Sequence, residues 1–221
     1  MGDVELLVVD DDPRMVEGLT EILEAEGYKV EAFEDPNAAL SEAKKRSFPI
    51  ALVDLIMPGR TGLEFLRELG KARSDTKVII ITGFGSIESA VEVMKAGAAD
   101  YISKPFKINE IQNVIKRTLE GIRFEQNLPR SLEASGTGRI IKAISNPIRR
   151  GVLILLTSKK KMRFTDIKNA LDVDDPTKLS FHLRELRGSG LLRQDQSKLY
   201  MLTTSGGKIA RLILELEKDP Y

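Results

Sequence analysis

Several apolar segments in the N-terminal half end in side chains that could bind a cation and a phosphoryl group. The segment LLVVDDDP, at residues 6–13, runs from four apolar residues directly into three aspartates. Carboxylates repel one another at neutral pH unless a positive group lies among them. The residues of interest are Asp10, Asp11, Asp12, Asp54, Thr82 and Lys104. Two or three carboxylates are typical Mg²⁺ ligands, and the cation would offset the repulsion while leaving coordination sites for phosphate oxygens.

A cation bound at such a cluster indicates phosphoryl-transfer chemistry. One carboxylate can attack phosphorus and become an aspartyl phosphate, while the metal and a lysine neutralise the transferred oxygens. The structural alternative is that residues 10–12 cap a helix and that Lys104 is an ordinary surface residue. Each residue alone is more often structural than functional, so the hypothesis depends on where the fold brings them together.

Alternating apolar and helical segments predict a parallel α/β sheet for this half of the chain. Five β-branched segments are expected to be strands, at residues 6–10, 29–33, 50–54, 77–82 and 100–103. Helical patterns follow at residues 13–26, 37–46, 62–72, 86–96 and 107–127, and Pro13 and Asp35 suit helix starts. Strands that are apolar throughout are typical of a sheet covered on both faces. Function collects at the carboxyl ends of parallel strands, so the acids, Thr82 and Lys104 should converge on one rim.

Composition and charge suggest two domains with different partners. The 221 residues include 42% hydrophobic residues and no cysteine, which excludes disulfides and thiolate metal sites. No apolar run reaches membrane-spanning length, so we expect a cytoplasmic protein without membrane insertion. Residues 1–120 carry 15 Lys and Arg against 22 Asp and Glu, whereas residues 139–221 carry 17 against 9. A basic second half suggests a polyanionic partner, although two ordinary solvated surfaces would show the same imbalance.

The first half resembles the receiver domains of two-component response regulators, which have a flavodoxin-like fold. The resemblance covers roughly residues 3–125 and includes the spacing between its motifs. These motifs are VVDDDP at 8–13, DLIMPGRTGLEFL at 54–66, IITG at 80–83 and AGAADYISKPF at 96–106.

The resemblance implies a role for each residue of the cluster. Asp54 would be the phosphoacceptor, and its phosphodonor would be a sensor histidine kinase. Mg²⁺ would be held by Asp10, Asp11, Asp54 and the main-chain carbonyl of Ile56. Thr82 and Lys104 would contact the phosphoryl group, Tyr101 would be the aromatic switch, and Lys104-Pro105 would be a cis peptide bond. Asp12 is either a further ligand or a helix cap.

The second half predicts a mainly α domain that ends in a small hairpin and a last helix. We expect domains at residues 1–125 and 139–221, joined by a linker at 126–138 that is rich in Gly, Ser and Pro. Helices are expected at residues 139–145, from Pro147, at 165–171 with Thr165 as cap, and at 176–189 with Asp175 as cap. LLRQ and KLYMLT would be strands, and residues 204–217 a final helix. This order of elements is that of a winged helix-turn-helix.

The helix at 176–189 is the candidate DNA-reading element. On a helical wheel Leu179, Leu183 and Leu186 share a core side, beside which His182 is expected to be structural. The face turned away from them is expected to enter the major groove; it comprises Thr177, Lys178, Phe181 and Arg184, with Ser180 at its flank. Phe181 could instead pack against a neighbouring helix. Phosphate contacts are expected from Lys160, in the basic run 159–161, and from Arg193 and Lys198 beside the hairpin.

This half resembles the ArsR-like winged-helix regulators. The matching segments are ISNPIRRGVLILL at 144–156, FTDI at 164–167, LSFHLRELRGSGLL at 179–192 and YMLTTSGG at 200–207. The chain departs from the metal sensors of that family because it has no cysteine and one histidine. We therefore expect the receiver domain, and not a metal ion, to supply the signal.

Together these features predict a phosphorylation-controlled regulator that binds double-stranded DNA and regulates transcription. It would not be an enzyme beyond accepting a phosphoryl group and losing it slowly. The alternative is a phosphorelay or scaffold protein whose winged-helix domain binds another protein. A homodimer is also expected. Its contact in the second half would be an apolar seam, and the alternative is that the same residues form the ordinary core of that domain; they are Ile140, Ile141, Ile144, Ile209, Leu212, Ile213 and Leu216. The resemblance to receiver domains implies that Ile56 and Phe84 lie near the path of water to Asp54, and because both are apolar we expect a long-lived phosphorylated state.

Overall fold

The protein folds as two compact units, and the boundary between them along the chain falls within one long helix. The computed structural model describes residues 4–72, 75–83, 87–126, 138–173 and 175–216. Contacts divide the chain into Met1–Leu119 and Glu120–Tyr221. In the described ranges no helix is both long and apolar enough to cross a membrane. The predicted linker lies outside the described residues except at its two ends.

The first unit contains a five-stranded parallel sheet in the order β2-β1-β3-β4-β5, which confirms the predicted fold. Its strands are β1 Glu5–Val9, β2 Lys29–Phe33, β3 Ile50–Asp54, β4 Lys77–Thr82 and β5 Asp100–Ser103. Its helices are α1 Pro13–Ala25, α2 Pro36–Lys45, α3 Gly62–Ala72, α4 Ile87–Ala96 and α5 Ile108–Gln126, the last of which continues into the second unit.

Burial and helix capping explain why these segments form these elements. Every residue of β3 is buried, as expected for a central strand with helices on both faces. The Asp35 carboxylate accepts a hydrogen bond from the Asn37 N–H at 2.9 Å, which confirms its predicted role as a cap. Asp12 caps α1 in the same way, accepting from the Arg14 N–H at 3.0 Å. This cap turns the chain directly after β1 and leaves Asp10 at the strand's end.

The second unit is mainly helical. Its elements are α6 Gly138–Ser145, α7 Pro147–Lys159, α8 Phe164–Ala170, α9 Pro176–Gly188, β6 Leu192–Gln194, β7 Tyr200–Leu202 and α10 Thr204–Leu216. β6 and β7 pair antiparallel, and the backbone of Met162 pairs with that of Tyr200. Asp175 caps α9 as predicted, accepting from the Thr177 N–H at 2.6 Å.

The predicted helix cap at Thr165 is wrong, and the predicted apolar seam is partly core. Thr165 cannot be the cap, because α8 already begins at Phe164 and Arg163 occupies the cap position. The Asp166 carboxylate accepts a hydrogen bond from the Arg163 N–H at 3.3 Å. The proposed apolar seam is partly core: Ile144 and Ile213 are buried in the core cluster, and Ile140 and Ile209 pack against it. The remaining members, Ile141, Leu212 and Leu216, are half-buried.

Candidate functional site: an aspartate pair bridged by lysine

Strand order brings the predicted acids and Lys104 together at the carboxyl edge of the sheet. Asp54 is the last residue of β3, Asp10 follows the neighbouring β1, and Lys104 follows β5. The Lys104 ammonium donates to Asp10 Oδ2 at 2.6 Å and to Asp54 Oδ1 at 2.8 Å. Both carboxylates are buried, with Asp10 at 2% and Asp54 at 6% exposure. Residues separated by 94 and 50 positions in sequence therefore form one charged cluster.

Backbone groups orient both carboxylates. The Ile56 N–H donates to Asp54 Oδ2 at 2.8 Å, and the Asp12 N–H donates to Asp10 Oδ1 at 3.0 Å. Each carboxylate thus presents one oxygen to the backbone and the other to Lys104. A carboxylate held at both oxygens has little rotational freedom, which suits a group that must meet phosphorus in line.

Burial and the lysine act on the pKa values of the cluster in opposite directions. Burial raises the pKa of the Asp54 carboxyl, and this effect outweighs the hydrogen bonds from Lys104 and the Ile56 N–H that lower it. Burial lowers the pKa of Lys104, but its hydrogen bonds to Asp10 and Asp54 outweigh this and leave the pKa above its ordinary value. The ammonium therefore stays charged where it touches both carboxylates.

The loop after β3 passes very close to the phosphoacceptor candidate. A Cβ on Gly62 would lie 2.2 Å from the Asp54 carbonyl oxygen, and the Gly62 N–H donates to the Leu55 carbonyl at 2.9 Å. Only glycine permits this approach, which closes the loop and places the backbone of Ile56 beside the Asp54 side chain.

Thr82 and Tyr101 lie on β4 and β5, the two strands that follow β3 across the sheet. Thr82 ends β4 and is 4% exposed, whereas Tyr101 on β5 is 6% exposed. The Lys104 N–H donates to the Thr82 carbonyl at 2.7 Å, which ties the lysine to the end of β4. The Lys104-Pro105 peptide bond is cis, as the resemblance predicted. The phosphoryl-sensing roles of Thr82, Lys104 and Tyr101 stay predictions.

The buried carboxylates of Asp10 and Asp54 are the groups that could bind a divalent cation at this site. Asp10 and Asp54 offer hard oxygen ligands close together, of the kind that Mg²⁺ prefers. Asp11 is exposed, and within the described ranges no group of three or more His, Cys, Asp or Glu is arranged to hold a metal ion. The ligand set of Asp10, Asp11, Asp54 and the Ile56 carbonyl therefore stays a prediction, supported by the pair. The Ile56 side chain is 50% exposed, and Phe84 lies outside the described residues.

The outer face of α9 differs from its predicted composition. Leu179, Leu183 and Leu186 are in the core, and His182 is fully buried, as expected. Lys178 and Phe181, however, are each only 7% exposed. The predicted exposure of Lys178 is therefore wrong, and of the two alternatives given for Phe181 its burial favours packing within the protein. The helical wheel failed here because the buried side of α9 is broader than the leucine stripe.

The exposed stripe of α9 runs through Thr177, Ser180, Arg184 and Arg187. Thr177 is half-buried and the other three are exposed. Arg187 was missed in the sequence, although its spacing of three residues from Arg184 continues the stripe along the helix. The Arg184 guanidinium also lies over the Phe181 ring, 5.6 Å from its centroid.

A second basic surface is formed by the segment after α7 and the β6–β7 hairpin. The backbone pairing of Met162 with Tyr200 holds this segment against β7. The Lys161 ammonium also lies 3.4 Å from Asp195 at the hairpin. The predicted phosphate-contacting residues Lys160, Arg193 and Lys198 are all exposed. The structure thus joins two basic segments that are more than thirty residues apart in sequence.

An α/β domain with a buried aspartate pair and a lysine at the carboxyl edge of its sheet has the features of a phosphoryl acceptor. Residues 6–116 match the family model of the response regulator receiver domain, and the chain belongs to the response regulators that carry this domain. Residues 138–213 match a model described only as a domain of unknown function, DUF7347. The receiver assignment is therefore confirmed, and the ArsR-like assignment stays a prediction.

Individual relatives support the same assignment. The C4-dicarboxylate transport transcriptional regulatory protein DctD of Pseudomonas aeruginosa is 36% identical over 120 residues, covering 54% of this chain and 26% of that protein. The acid tolerance regulatory protein ActR of Rhizobium meliloti is 37% identical over 109 residues, covering 49% of this chain and 56% of that protein. The chain thus spans between about a quarter and just over half of the length of these relatives.

Solved structures agree with the fold of the first unit. A CheY-like receiver domain protein from Methanospirillum hungatei has a TM-score of 0.54 at 34% identity, covering 56% of this chain and 99% of that one. The beryllofluoride-activated NtrC4 receiver domain dimer has a TM-score of 0.52 at 34% identity, covering 53% of this chain and 98% of that one.

Proposed function

We propose that this protein is a phosphorylation-controlled regulator that accepts a phosphoryl group on Asp54 and binds double-stranded DNA through its second unit. The observation that supports phosphoryl acceptance is the Lys104 ammonium bridging the buried Asp10 and Asp54 carboxylates at 2.6 and 2.8 Å. An autonomous enzyme activity is not part of the proposal, because the chemistry of this cluster is stoichiometric transfer to its own aspartate.

The transfer step uses groups that are already in place. An Asp54 carboxylate oxygen attacks the phosphorus of a phosphohistidine on a sensor kinase, forming the O–P bond while the P–N bond breaks and its electron pair returns to the imidazole. Lys104 then neutralises charge on the phosphoryl oxygens, next to the position it now holds. Bound Mg²⁺, with Asp10, Asp11, Asp54 and the Ile56 carbonyl as its proposed ligands, would neutralise further charge during transfer.

Intact-mass measurement tests this step directly. Incubation with acetyl phosphate and Mg²⁺ should add one phosphoryl group to the parent chain and none to Asp54→Asn. Asp75→Asn is the control, because Asp75 is exposed and bonded to Ser47. Equal phosphorylation of Asp54→Asn and the parent would contradict the assignment.

DNA binding is supported by the two basic surfaces of the second unit. The exposed stripe of α9 offers two arginines and two hydroxyl side chains, which are donors suited to base edges and phosphates. Lys160, Arg193 and Lys198 are exposed on the neighbouring segments. Arginine and lysine surfaces of this kind bind the phosphate backbone with strong salt dependence.

Two substitutions separate base reading from phosphate contact. Arg184→Ala should weaken specific binding by about 1–3 kcal/mol if Arg184 reads a base edge. Lys160→Ala should weaken binding to all sequences alike. Arg67→Ala is the control, because Arg67 is exposed on α3 in the first unit. Absence of any salt-dependent shift of duplex DNA would instead favour the scaffold alternative, in which the second unit binds a protein.

A homodimer is also proposed, because the NtrC4 relative is a dimer when activated. Light scattering of the full chain should show a larger mass after phosphorylation. An unchanged monomeric mass in both states would contradict this part of the proposal.

A further inference from the structure

The loop between β3 and α3, residues 55–61, carries the backbone of Ile56 through the candidate site. Its first residue is fixed by the sheet, because the Leu55 N–H donates to a carbonyl of β4 at 3.0 Å. Its last residue is fixed at the start of α3, where the Thr61 N–H donates to Glu64 Oε2 at 2.9 Å. Between these two points the Ile56 side chain is 50% exposed, so packing of that side chain does little to hold the backbone in place.

Arg60 joins this loop to the two helices α2 and α3. Its Nε donates to Asn37 Oδ1 at 3.0 Å, in the first turn of α2. The same guanidinium forms an ion pair with Glu68 on α3. A guanidinium is planar and presents its donors as a rigid fork. Because its two partners lie on separate helices, the Arg60 side chain can keep both bonds only if the loop stays in place.

Both partners of Arg60 are themselves anchored. The backbone N–H and the side-chain amide of Asn37 donate to Asp35 Oδ1 at 2.9 and 3.3 Å, which fixes the amide at the start of α2. The Lys44 ammonium lies 3.4 Å from Glu68 Oε2, while Arg60 bonds the other oxygen of that carboxylate. The hydrogen bond from Arg60 also lowers the pKa of the Glu68 carboxyl, which keeps it ionised near neutral pH. A displaced loop would therefore have to break these bonds, because their acceptors do not move freely with it.

The residue before Arg60 brings the loop onto the start of α2. Gly59 has a φ of 75°, in the left-handed region that glycine adopts at no steric cost. A Cβ on Gly59 would lie 4.0 Å from Asn37 Nδ2. The backbone of the loop therefore lies against the same residue that the Arg60 side chain bonds.

We infer that Arg60 is a positioning residue of the proposed Mg²⁺ site, because it fixes the loop whose Ile56 carbonyl is a proposed ligand. Mg²⁺ requires nearly ideal octahedral geometry, so a carbonyl on a loose loop binds it weakly. Ion pairs between largely exposed groups contribute little to global stability. The effect of Arg60 is therefore expected on Mg²⁺ affinity and not on unfolding. The inference rests on the proposed function, since the Ile56 carbonyl is one of the ligands proposed there.

Charge alone predicts the opposite effect. A positive side chain repels a nearby cation, so removing Arg60 would strengthen Mg²⁺ binding if its charge were all that mattered. If Arg60 positions the loop, removing it weakens Mg²⁺ binding. The direction of the change therefore separates the two roles.

The Mg²⁺ affinity of the full chain is measured in two ways for the parent and Arg60→Ala. The shift of the urea midpoint with Mg²⁺ concentration reports binding to the folded state without phosphoryl transfer. Intact mass gives the Mg²⁺ concentration at which phosphorylation by acetyl phosphate is half-maximal. Arg60→Ala should raise the Mg²⁺ requirement about tenfold in both measurements, the lower end of the range for residues that orient metal ligands. Saturating Mg²⁺ should restore the phosphorylation rate of the parent.

Two further variants separate the loop bonds from the charge. Asn37→Ala removes one bond of Arg60 without changing any charge, and it should raise the Mg²⁺ requirement by less than Arg60→Ala does. Lys44→Met is the matched control, because it removes a positive charge and a bond to Glu68 but leaves both bonds of Arg60. Its response to Mg²⁺ should equal that of the parent.

The outcomes distinguish this inference from the proposed function. An unchanged or lower Mg²⁺ requirement in Arg60→Ala overturns the inference, as does an equal rise in Lys44→Met or a parent whose urea midpoint does not respond to Mg²⁺. A parent that responds to Mg²⁺ but gains no phosphoryl group contradicts the proposed phosphoryl acceptance, and the urea measurement then decides the role of Arg60. If Arg60→Ala does not fold, an unchanged Mg²⁺ requirement in Asn37→Ala overturns the inference instead.

Discussion

Replacing Lys104 with methionine should destabilise the first unit strongly, and added Mg²⁺ should reverse part of the loss. The substitution keeps the length and apolar stem of the side chain but removes the ammonium that bridges Asp10 and Asp54. Two buried carboxylates would then face each other without a positive partner. The two oxygens that Lys104 bridges lie no farther apart than the sum of its two hydrogen-bond lengths, 2.6 and 2.8 Å. Without the ammonium, nothing offsets the repulsion between the carboxylates at this short distance.

The geometry sets the expected magnitude. Removing one partner of a buried ion pair usually lowers the free energy of unfolding by about 3–5 kcal/mol. The repulsion between the two carboxylates is of similar size, since unit charges 4 Å apart interact by about 4 kcal/mol at an effective dielectric constant of 20. We therefore expect Lys104→Met to lose about 3–5 kcal/mol at pH 7 without Mg²⁺. Neutralising one carboxylate in Lys104→Met/Asp10→Asn should recover part of that loss.

Urea unfolding at several Mg²⁺ concentrations measures both effects. A ligand at 100 times its dissociation constant stabilises the folded state by about 2.7 kcal/mol, so the deficit of Lys104→Met should shrink as Mg²⁺ rises. Lys107→Met is the matched control, because Lys107 is exposed nearby in the chain; it should change stability by less than about 0.5 kcal/mol. A loss below about 1 kcal/mol for Lys104→Met, or no recovery with Asp10→Asn, would refute the reasoning.

Three further predictions concern single side chains. Gly62→Ala should lower the free energy of unfolding by about 1–3 kcal/mol, because its Cβ would lie 2.2 Å from a backbone oxygen. Gly70→Ala is the control: its Cβ meets open space, and it should raise the free energy of unfolding by about 0.5–1 kcal/mol. Urea unfolding measures both changes. The Leu199 N–H and Lys161 hold the pKa of the Asp195 carboxyl below its ordinary value of 3.8. Its contribution is therefore present above that value and lost as pH falls through the folded-state pKa, and Asp195→Asn should remove this part of the acid sensitivity in melts between pH 2 and 6. Ile56→Asn should shorten the lifetime of the phosphoryl group several-fold, followed by mass spectrometry, because a half-exposed amide at that position can orient water; an unchanged or longer lifetime would count against this idea.

The secondary structure of the receiver half could be predicted closely because the sequence patterns that mark its strands and helices are local and periodic. The three central strands are short apolar runs bounded by turn or cap residues, and Asp35-Pro36 marks a helix start as clearly in the sequence as in the structure. Parallel topology then requires the carboxyl ends of the strands to share an edge. Lys104 could therefore be placed near Asp54 from sequence, although its simultaneous bonds to Asp10 and Asp54 depend on distances that no pattern contains.

The second half was less predictable because burial on a short helix depends on what packs beside it. The leucine stripe of α9 predicted its core side correctly, but Lys178 and Phe181 have the spacing of exposed residues and are nevertheless buried. A lysine can be buried along its apolar stem without losing its polar end, so its residue type gave no warning. Arg149 and Arg150 fall within the helix predicted from Pro147, and the sequence does not indicate their carbonyl partners because these lie on a different helix.

Both clusters use the same physical device, a cationic side chain that bonds to groups on other elements. Lys104 holds the ends of β1 and β3, and Arg149 and Arg150 of α7 hold the carbonyl end of α6. They differ in what can replace the cation. In the proposed function the carboxylates around Lys104 bind a metal ion and the ammonium pairs with a phosphoryl group, so that site would exchange its charge partners. The carbonyls bound by Arg149 and Arg150 have no such substitute, and the arginines must follow the backbone to which they are bonded. Exchangeable charge at Lys104 suits the proposed phosphoryl acceptor, whereas fixed charge at Arg149 and Arg150 holds the corner between α6 and α7 in one arrangement.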